Sequence, residues 1–547
     1  MRIVPWLTRI CSLESLQFAK DMLENCVKHH KRCSYSGIAK VNSQWWPSRL
    51  LDLGTSSATP GPEIIRLIDP AKDTTTSYKY AALSYQWGGK EFIKLTAGSE
   101  SSLRAGIPVD DLPLTFQEAI SATRALCLRY LWIDALCIIQ GCPDDWACEA
   151  PKMGLVYGKS HVNLAAAAAT DPDGGLFAQR HPVLINGFVG TSPAGKEEYM
   201  CTFENDWETL VDCAPLNERG WVLQERVLAP RTLHFTSAKV FWECCESKAS
   251  EKNRDVYAIS SKVSFHQLQN GRTAELDPEL AYSVWYEVLQ SYRGMKFTVN
   301  GDRLMAISGI VEAVKRALPR DEEYHAGLWQ SHLPWNLLWS IAGRGFRNES
   351  LVPLQERVKP SWSWASADPR DGVAWVANPK YSKSRAAKAR VLKFEVEPIS
   401  NPLGSVKNAT LWIQARMCTV RIPMPSKDFN DGFEIKGRKV SDRSHYSFSH
   451  PLPSFDATLL LEIFTQTHEE INPELTDILA GLILCPTGEK GTYYRVGSYK
   501  VQHREDEYAD MARQDAEALD RAFGECDLAP SQYQEFDGKE MYTVKII

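Results

Sequence analysis

Residues 80–169 alternate short apolar runs with amphipathic stretches, and this alternation limits the possible folds more than any other feature of the chain. The apolar runs at 80–85, 130–134 and 162–169 have the length of β-strands. Each stretch between them is long enough to hold a helix. Strands and helices in alternation predict a parallel sheet whose crossover connections are helices.

The connection after the first run predicts an amphipathic helix that begins near Thr115 and has Pro113 just outside it. Its apolar face, at a period of 3.6 residues, consists of Phe116, Ala119, Ile120, Thr123, Leu126 and Cys127. The strand that follows, 130–133, is apolar throughout, as expected for a strand covered on both faces. Ser84 and Asp134 then fall at the carboxyl ends of strands, where open α/β sheets bind their ligands.

The chain of 547 residues is too long for one ordinary core, and its pattern changes along its length. We predict an N-terminal helical segment (1–75), a central α/β domain (76–246), a mainly helical region (247–355) and a strand-rich C-terminal region (356–547). A loop rich in Thr, Ser, Pro and Gly at 54–62 supports the first boundary. Residues 480–501 predict two strands joined by a turn at 488–491.

Composition excludes several functional classes. The net charge of −6 provides no basic field for nucleic acid, and no run approaches the 18 apolar residues that indicate a membrane span. The first residues, MRIVPWLTRICSL, lack the apolar core of a secretory signal. The 14 cysteines have irregular spacings, which favours free thiols over a disulfide framework. We therefore expect a cytoplasmic protein.

Common catalytic and nucleotide-binding motifs are missing from the sequence. No G-x-G-x-x-G follows a predicted strand, and HExxH and G-x-S-x-G do not occur. Gly158, Lys159 and Ser160 resemble the end of a Walker A loop, but Met153 occupies the position of its first glycine. Metalloprotease, α/β-hydrolase and phosphate-loop functions thus lose their main support.

A group of metal-binding side chains lies near residue 30. Cys26, His29, His30 and Cys33 have helical spacings of three and four, so that Cys26, one histidine and Cys33 can share one face and bind a metal. The sequence indicates no fourth ligand. The favoured prediction is no metal site, and a face of thiol and imidazole groups that packs against the central domain; metal binding by these residues is the alternative. Cys244 and Cys245 are expected to pack at the end of a strand.

Three sequence blocks carry a family resemblance. They are YAALSYQWGG (80–89), LPLTFQEAISATRALCLRYLWIDALCIIQ (112–140) and LNERGWVLQE (216–225). In this order they resemble the fungal heterokaryon-incompatibility (HET) domain, a distant relative of TIR domains. The resemblance implies an α/β fold with a flavodoxin/TIR-like parallel sheet and flanking helices, preceded by the N-terminal helical segment and followed by a C-terminal α+β region.

The same resemblance implies a function in fungal self/non-self recognition and programmed cell death. Enzymatic TIR domains cleave NAD, so NAD is the implied substrate, with no prosthetic group, and a protein partner or homo-oligomer is the implied trigger. The alternative is a non-catalytic interaction and signalling module. An enzyme of unrelated chemistry on the same scaffold is a third hypothesis.

Glu149 is the acid that the resemblance singles out. Trp146, Glu149 and Met153 share a predicted helix face, where the carboxylate is partly desolvated. The W-x-x-E of 146–149 resembles the W-C-x-x-E of TIR enzymes, whose glutamate supports NAD cleavage. Without the resemblance, Glu149 is an acid that stabilises a helix dipole. Pro151 predicts that the helix either starts later or kinks at Glu149.

The remaining site residues follow from the same resemblance. Asp134 joins Glu149 as the second catalytic residue. The residues implied to bind the NAD are Ser84, Trp87, Arg219 and Glu225. Packing of Trp87 in the core and an ion pair between Arg219 and Glu225 are the structural alternatives.

Overall fold

A computed structural model gives the architecture of the chain. The residues it describes are 13–34, 45–54, 63–70, 78–178, 188–191, 198–201, 206–252, 278–292, 294–341, 360–367, 373–375, 387–420, 433–435, 438–440, 445–448, 458–465, 477–502 and 509–547. Two compact units form: one comprises 1–291 with 306–319, the other 292–305 with 320–547. Among the described helices, none is long and apolar enough to cross a membrane.

The first unit is built on a sheet flanked by helices. Its strands are β1 (Leu50–Asp52), β2 (Ile64–Ile68), β3 (Tyr80–Ser84), β4 (Ile107–Pro108), β5 (Tyr130–Trp132), β6 (Val162–Ala165), β7 (Phe188–Thr191), β8 (Glu198–Cys201), β9 (Arg231–Phe235), β10 (Val240–Cys244) and β11 (Lys248–Ser250). Its helices are α1 (Leu13–His29), α2 (Lys31–Ser34), α3 (Glu100–Ala105), α4 (Leu114–Ala125), α5 (Asp134–Cys137), α6 (Pro143–Glu149), α7 (Met153–Lys159), α8 (Gly220–Leu228), α9 (Pro278–Tyr292) and α10 (Ser308–Lys315).

The described strands of the main sheet have the order β11-β10-β9-β6-β3-β5-β1-β2-β4. Strands β5, β3, β6 and β9 are parallel, whereas the strands on either side of these four pair antiparallel. The parallel strands are thus arranged second, first, third and fourth in chain order, which is the flavodoxin-like order. The predicted parallel α/β sheet is confirmed. β1 and β2 lie in the segment 1–75, which was predicted to be helical, and they extend the sheet beyond β5.

Helices cover both faces of this sheet. Because crossovers between parallel strands are right-handed and the strand order reverses at β3, α4 lies on the face opposite α7 and α8. α4 packs with α1, and α7 packs with α8 and α10. Phe116, Ala119, Ile120 and Thr123 are buried as predicted. Cys127 was wrongly placed on that face: the helix ends at Ala125, and Cys127 is exposed with a φ of 59°.

The second unit contains a mainly antiparallel sheet. Its helix is α11 (Ala509–Gly524), and its strands are β12 (Tyr324–His325), β13 (Leu328–Trp329), β14 (Ser340–Ile341), β15 (Val373–Trp375), β16 (Arg390–Pro398), β17 (Val406–Ala415), β18 (Met417–Val420), β19 (Phe433–Ile435), β20 (Arg438–Val440), β21 (His445–Phe448), β22 (Thr458–Thr465), β23 (Asp477–Pro486), β24 (Thr492–Gln502), β25 (Glu535–Phe536) and β26 (Tyr542–Ile546). The main path of described strands is β16-β17-β26-β24-β23-β22-β18. β23 and β24 form the predicted pair around the turn at 488–491.

Two glycines allow α7 and α10 to cross closely. A Cβ atom at Gly309 would lie 2.8 Å from the Cα of Gly154 and 2.8 Å from Gln224 Oε1. That same Oε1 accepts a hydrogen bond from the Gly309 N–H at 2.7 Å. The crossing therefore has no room for a side chain on either helix.

Replacing Gly309 by alanine tests this crossing. Glycine to alanine inside a helix ordinarily stabilises by about 0.5–1 kcal/mol. Here we expect Gly309→Ala to lower the free energy of unfolding by about 1–3 kcal/mol, because the methyl group overpacks the crossing. Denaturant titration measures the change. Gly98→Ala is the control, since its Cβ would meet only Thr96 Oγ1, at 3.8 Å. A stabilised Gly309→Ala protein would contradict the close crossing.

Candidate functional site

Polar side chains gather where the central parallel strands end. Ser84 is the last residue of β3, and Asp134 follows β5 at the start of α5. Asp134 Oδ2 accepts a hydrogen bond from the indole Nε1 of Trp87 at 2.8 Å, and its Oδ1 accepts one from the Ala135 N–H at 2.6 Å. The Asp134 carboxylate is therefore held in one orientation at the carboxyl edge of the sheet.

The other side of the site comes from α8 and β6. Arg219 precedes α8 and donates to the carbonyl oxygen of Tyr85, which follows β3. Glu225 lies within α8 and is only 5% exposed. The amide of Asn163, in the middle of β6, donates to Ser84 Oγ at 3.0 Å. The contact of Arg219 with Tyr85 places the third sequence block (216–225) next to the first (80–89).

The Glu225 carboxyl lies in an unusual electrostatic environment. Burial raises its pKa from 4.5 to about 7, and the negative charge of Asp134 acts in the same direction, whereas Arg219 and the Ser84 hydroxyl oppose the shift. Burial also raises the pKa of Asp134, against the Trp87 hydrogen bond and the charge of Arg219. Within the described part of the chain, Glu225 Oε2 has no hydrogen-bond partner. Two carboxyl groups thus share a site with one cation.

Two tyrosines line the same site and were not predicted. The Tyr157 hydroxyl donates to the Leu83 carbonyl at 3.1 Å, and burial, followed by the charge of Glu225, raises its pKa well above the ordinary value. Burial and then Asp134 have the same effect on the pKa of Tyr85. Both hydroxyls therefore stay neutral at physiological pH. Asn163 was also not predicted, although a polar residue within the apolar run 162–165 indicates a buried hydrogen-bonding group.

Trp87 has a structural role as well as its contact with Asp134. Its ring meets Phe92 edge-on, with centroids 5.6 Å apart, and Lys94 Nζ lies 5.5 Å from its centroid. The indole packs against the core but is only partly buried. The ion pair that was the structural alternative for Arg219 and Glu225 is not formed between these two described residues.

Glu149 lies among different partners. It is 7% exposed, and its Oε1 accepts hydrogen bonds from Ser48 Oγ and Lys152 Nζ, each at 2.8 Å. As predicted, Pro151 interrupts the helix: α6 ends at Glu149, a 3₁₀ turn spans 150–152, and α7 begins at Met153. No hydrogen bond or ion pair joins the described Glu149 to Ser84, Asp134 or Glu225. Its catalytic role stays a prediction.

One family model matches the segment that builds the site. Residues 80–225 match the family described as heterokaryon incompatibility protein (HET). These residues therefore form a HET domain. The matched segment begins with β3 and ends at Glu225, so every residue of the candidate site lies within the HET domain. The match associates this domain with heterokaryon incompatibility. No curated protein and no solved structure matches the chain.

The buried Glu225 predicts a pH dependence of stability for the HET domain. Its pKa in the folded chain lies above the ordinary value, so the folded chain holds this proton more tightly than the unfolded chain. The contribution of Glu225 to stability is therefore fully present below pH 4.5 and is lost as the pH rises through about 7. The group accounts for a loss of up to about 3 kcal/mol across that window.

Glu225→Gln should remove this contribution, because glutamine does not ionise. Denaturant titrations of both proteins at pH 5 and pH 7.5 measure it: wild type should lose more stability than the variant between the two values. Glu149→Gln, at a buried carboxylate that is already ion-paired, is the matched control. Equal pH slopes for wild type and Glu225→Gln would show that Glu225 ionises as freely as an exposed acid.

Proposed function

We propose that this HET domain cleaves NAD at the bond between nicotinamide and ribose, and that NAD loss kills the cell during self/non-self recognition. The observation that carries the proposal is the Glu225 carboxylate, which is buried beside Asp134 and has an Oε2 atom with no hydrogen-bond partner among the described residues. In flavodoxin-like sheets the ligand crevice lies at the carboxyl ends of the strands, where the strand order reverses. Ser84 and Asn163 lie on β3 and β6, the strands at this point.

The chemistry of this bond suits a pair of carboxylates. When the bond breaks, its electron pair leaves with the nicotinamide nitrogen, which is cationic in NAD and becomes neutral. The leaving group therefore needs no proton. Positive charge develops on the ribose instead, and a fixed negative charge nearby lowers the energy of that transition state.

The two acids take separate roles in this proposal. Glu225 faces the ribose, accepts a hydrogen bond from its hydroxyls and stabilises the positive charge. Asp134, held by Trp87 and Ala135, accepts the proton of the water that attacks the ribose, and ADP-ribose is released. Arg219 is only partly buried, so it can contact the pyrophosphate, and the accessible face of Trp87 can stack on a ring of the substrate. A protein partner or self-assembly is the proposed trigger.

Glu225→Gln tests the catalytic assignment, because it preserves shape and removes charge. We expect nicotinamide release from NAD to fall by about 100-fold or more. Asp134→Asn should also reduce it. Glu149→Gln decides the alternative assignment: it retains activity if the reaction occurs at Glu225, and loses it if Glu149 is the catalytic acid. Thermal midpoints of all variants separate loss of activity from loss of fold.

The activity should also depend on pH. Because Glu225 acts as a carboxylate, kcat/KM should rise as the group ionises and level off above a pH of about 7. A fall across this range would require the protonated acid and would overturn the assigned role. If concentrated or clustered wild type releases no nicotinamide, the HET domain acts as a non-catalytic interaction module.

A further inference from the structure

A second group of reactive side chains lies away from the proposed NAD site. The ligand atoms of Cys26, His30, Cys33 and Cys244 all lie within 4.8 Å of one another. Three of these residues come from α1, α2 and the residue between them, and Cys244 is the last residue of β10. Cys244 supplies the fourth candidate ligand atom, which the sequence did not indicate.

Burial distinguishes these four residues from the other candidate, His29. Cys26, Cys33 and Cys244 are all less than 5% exposed, and His30 is partly buried. His29, the other histidine considered from the sequence, is exposed. The helical spacing thus brings Cys26 and His30, four residues apart, to the same point.

We propose that these four side chains bind one structural zinc ion. In a tetrahedral zinc site with Zn–S bonds of about 2.3 Å, sulfur ligands lie about 3.8 Å apart and sulfur and nitrogen about 3.6 Å apart. Cys244 Sγ and His30 Nδ1 are already 3.3 Å apart. Ligand shifts of at most about 1 Å complete the tetrahedron. Three thiolates and one imidazole form a closed Cys₃His set, which is typical of structural rather than catalytic zinc.

Surrounding groups support the thiolates that zinc needs. Arg231 Nε donates to Cys26 Sγ at 3.2 Å, and the Ser247 N–H donates to Cys244 Sγ at 3.3 Å. Three thiolates and a zinc ion carry a net charge of −1, which the buried Arg231 guanidinium balances. Such outer contacts orient ligands and strengthen metal binding.

The position of the site defines its role. Arg231 begins β9 and pairs with Cys244, so the zinc lies at the amino end of the parallel strands. The proposed NAD site is at their carboxyl end. The zinc would therefore fasten the N-terminal helices α1 and α2 to the sheet of the HET domain, and its loss should reduce stability.

Metal analysis of the purified full chain tests the site. We expect about one zinc per chain after dialysis against metal-free buffer. Cobalt exchanged into the wild-type chain should give the intense visible bands of tetrahedral Co²⁺ and the near-ultraviolet band of thiolate ligation. This readout depends on no variant and is independent of NAD turnover. Zinc well below one per chain without a cobalt spectrum, iron in its place, or a disulfide among the three cysteines would overturn the proposal.

Adjacent histidines provide a matched pair of variants. His30→Ala should lose zinc on mild chelation and unfold at a lower temperature, whereas His29→Ala, at an exposed position, should match wild type in both. Cys244→Ser should behave as His30→Ala does, and Cys213→Ser, at an exposed thiol, should not. Equal zinc retention by His29→Ala and His30→Ala would refute the assigned ligand set.

Discussion

The parallel pairing of β3 with β5 on one side and β6 on the other is the constraint on which the HET domain depends. A strand with two parallel neighbours is covered by helices on both faces, and Tyr80–Ser84 is buried along its whole length. Polar groups of such a strand can reach a ligand only beyond its ends. Ser84 and Asp134 lie at that limit, and the chain brings Arg219 and Glu225 to the same edge through the helix that precedes β9.

Glu225 stands out when compared with the other buried acids of the described chain. Glu243 is 1% exposed, but Arg226 Nε and His234 Nε2 contact it at 2.9 and 3.0 Å. Glu462 is 0% exposed, but Arg416 Nε contacts it at 2.6 Å. Near Glu225 lie the charge of Arg219 and the hydroxyls of Ser84 and Tyr157, but burial outweighs them and the pKa of the carboxyl stays raised. A buried acid with a raised pKa is typical of functional sites.

Periodicity predicted the sheet but not the whole site. The apolar runs at 80–85, 130–134 and 162–169 identified the three central strands, because burial on both faces leaves a continuous apolar signal. β1 and β2 were missed, since strands of only three and five residues leave little pattern. Asp134 was found from its position after a strand. The electrostatic interaction of Asp134 with Glu225 depends on tertiary packing across some 90 residues, which sequence spacing does not encode. Glu149 was selected by a local motif, and Lys152 and Ser48, which contact it, come from outside that motif.

The two proposed sites lie at opposite ends of the same parallel strands, and this arrangement has a physical rationale. A site that binds a substrate needs unpartnered polar groups, which lower stability at the carboxyl edge. A closed metal site contributes folding free energy without any open ligand position. With the zinc at the amino edge, the stabilising group fastens α1, α2, β9 and β10 while leaving the carboxyl edge open to NAD. A zinc ion bound directly by Glu225 and Asp134 at the carboxyl edge would instead neutralise both carboxylates, whose negative charge the proposed reaction requires.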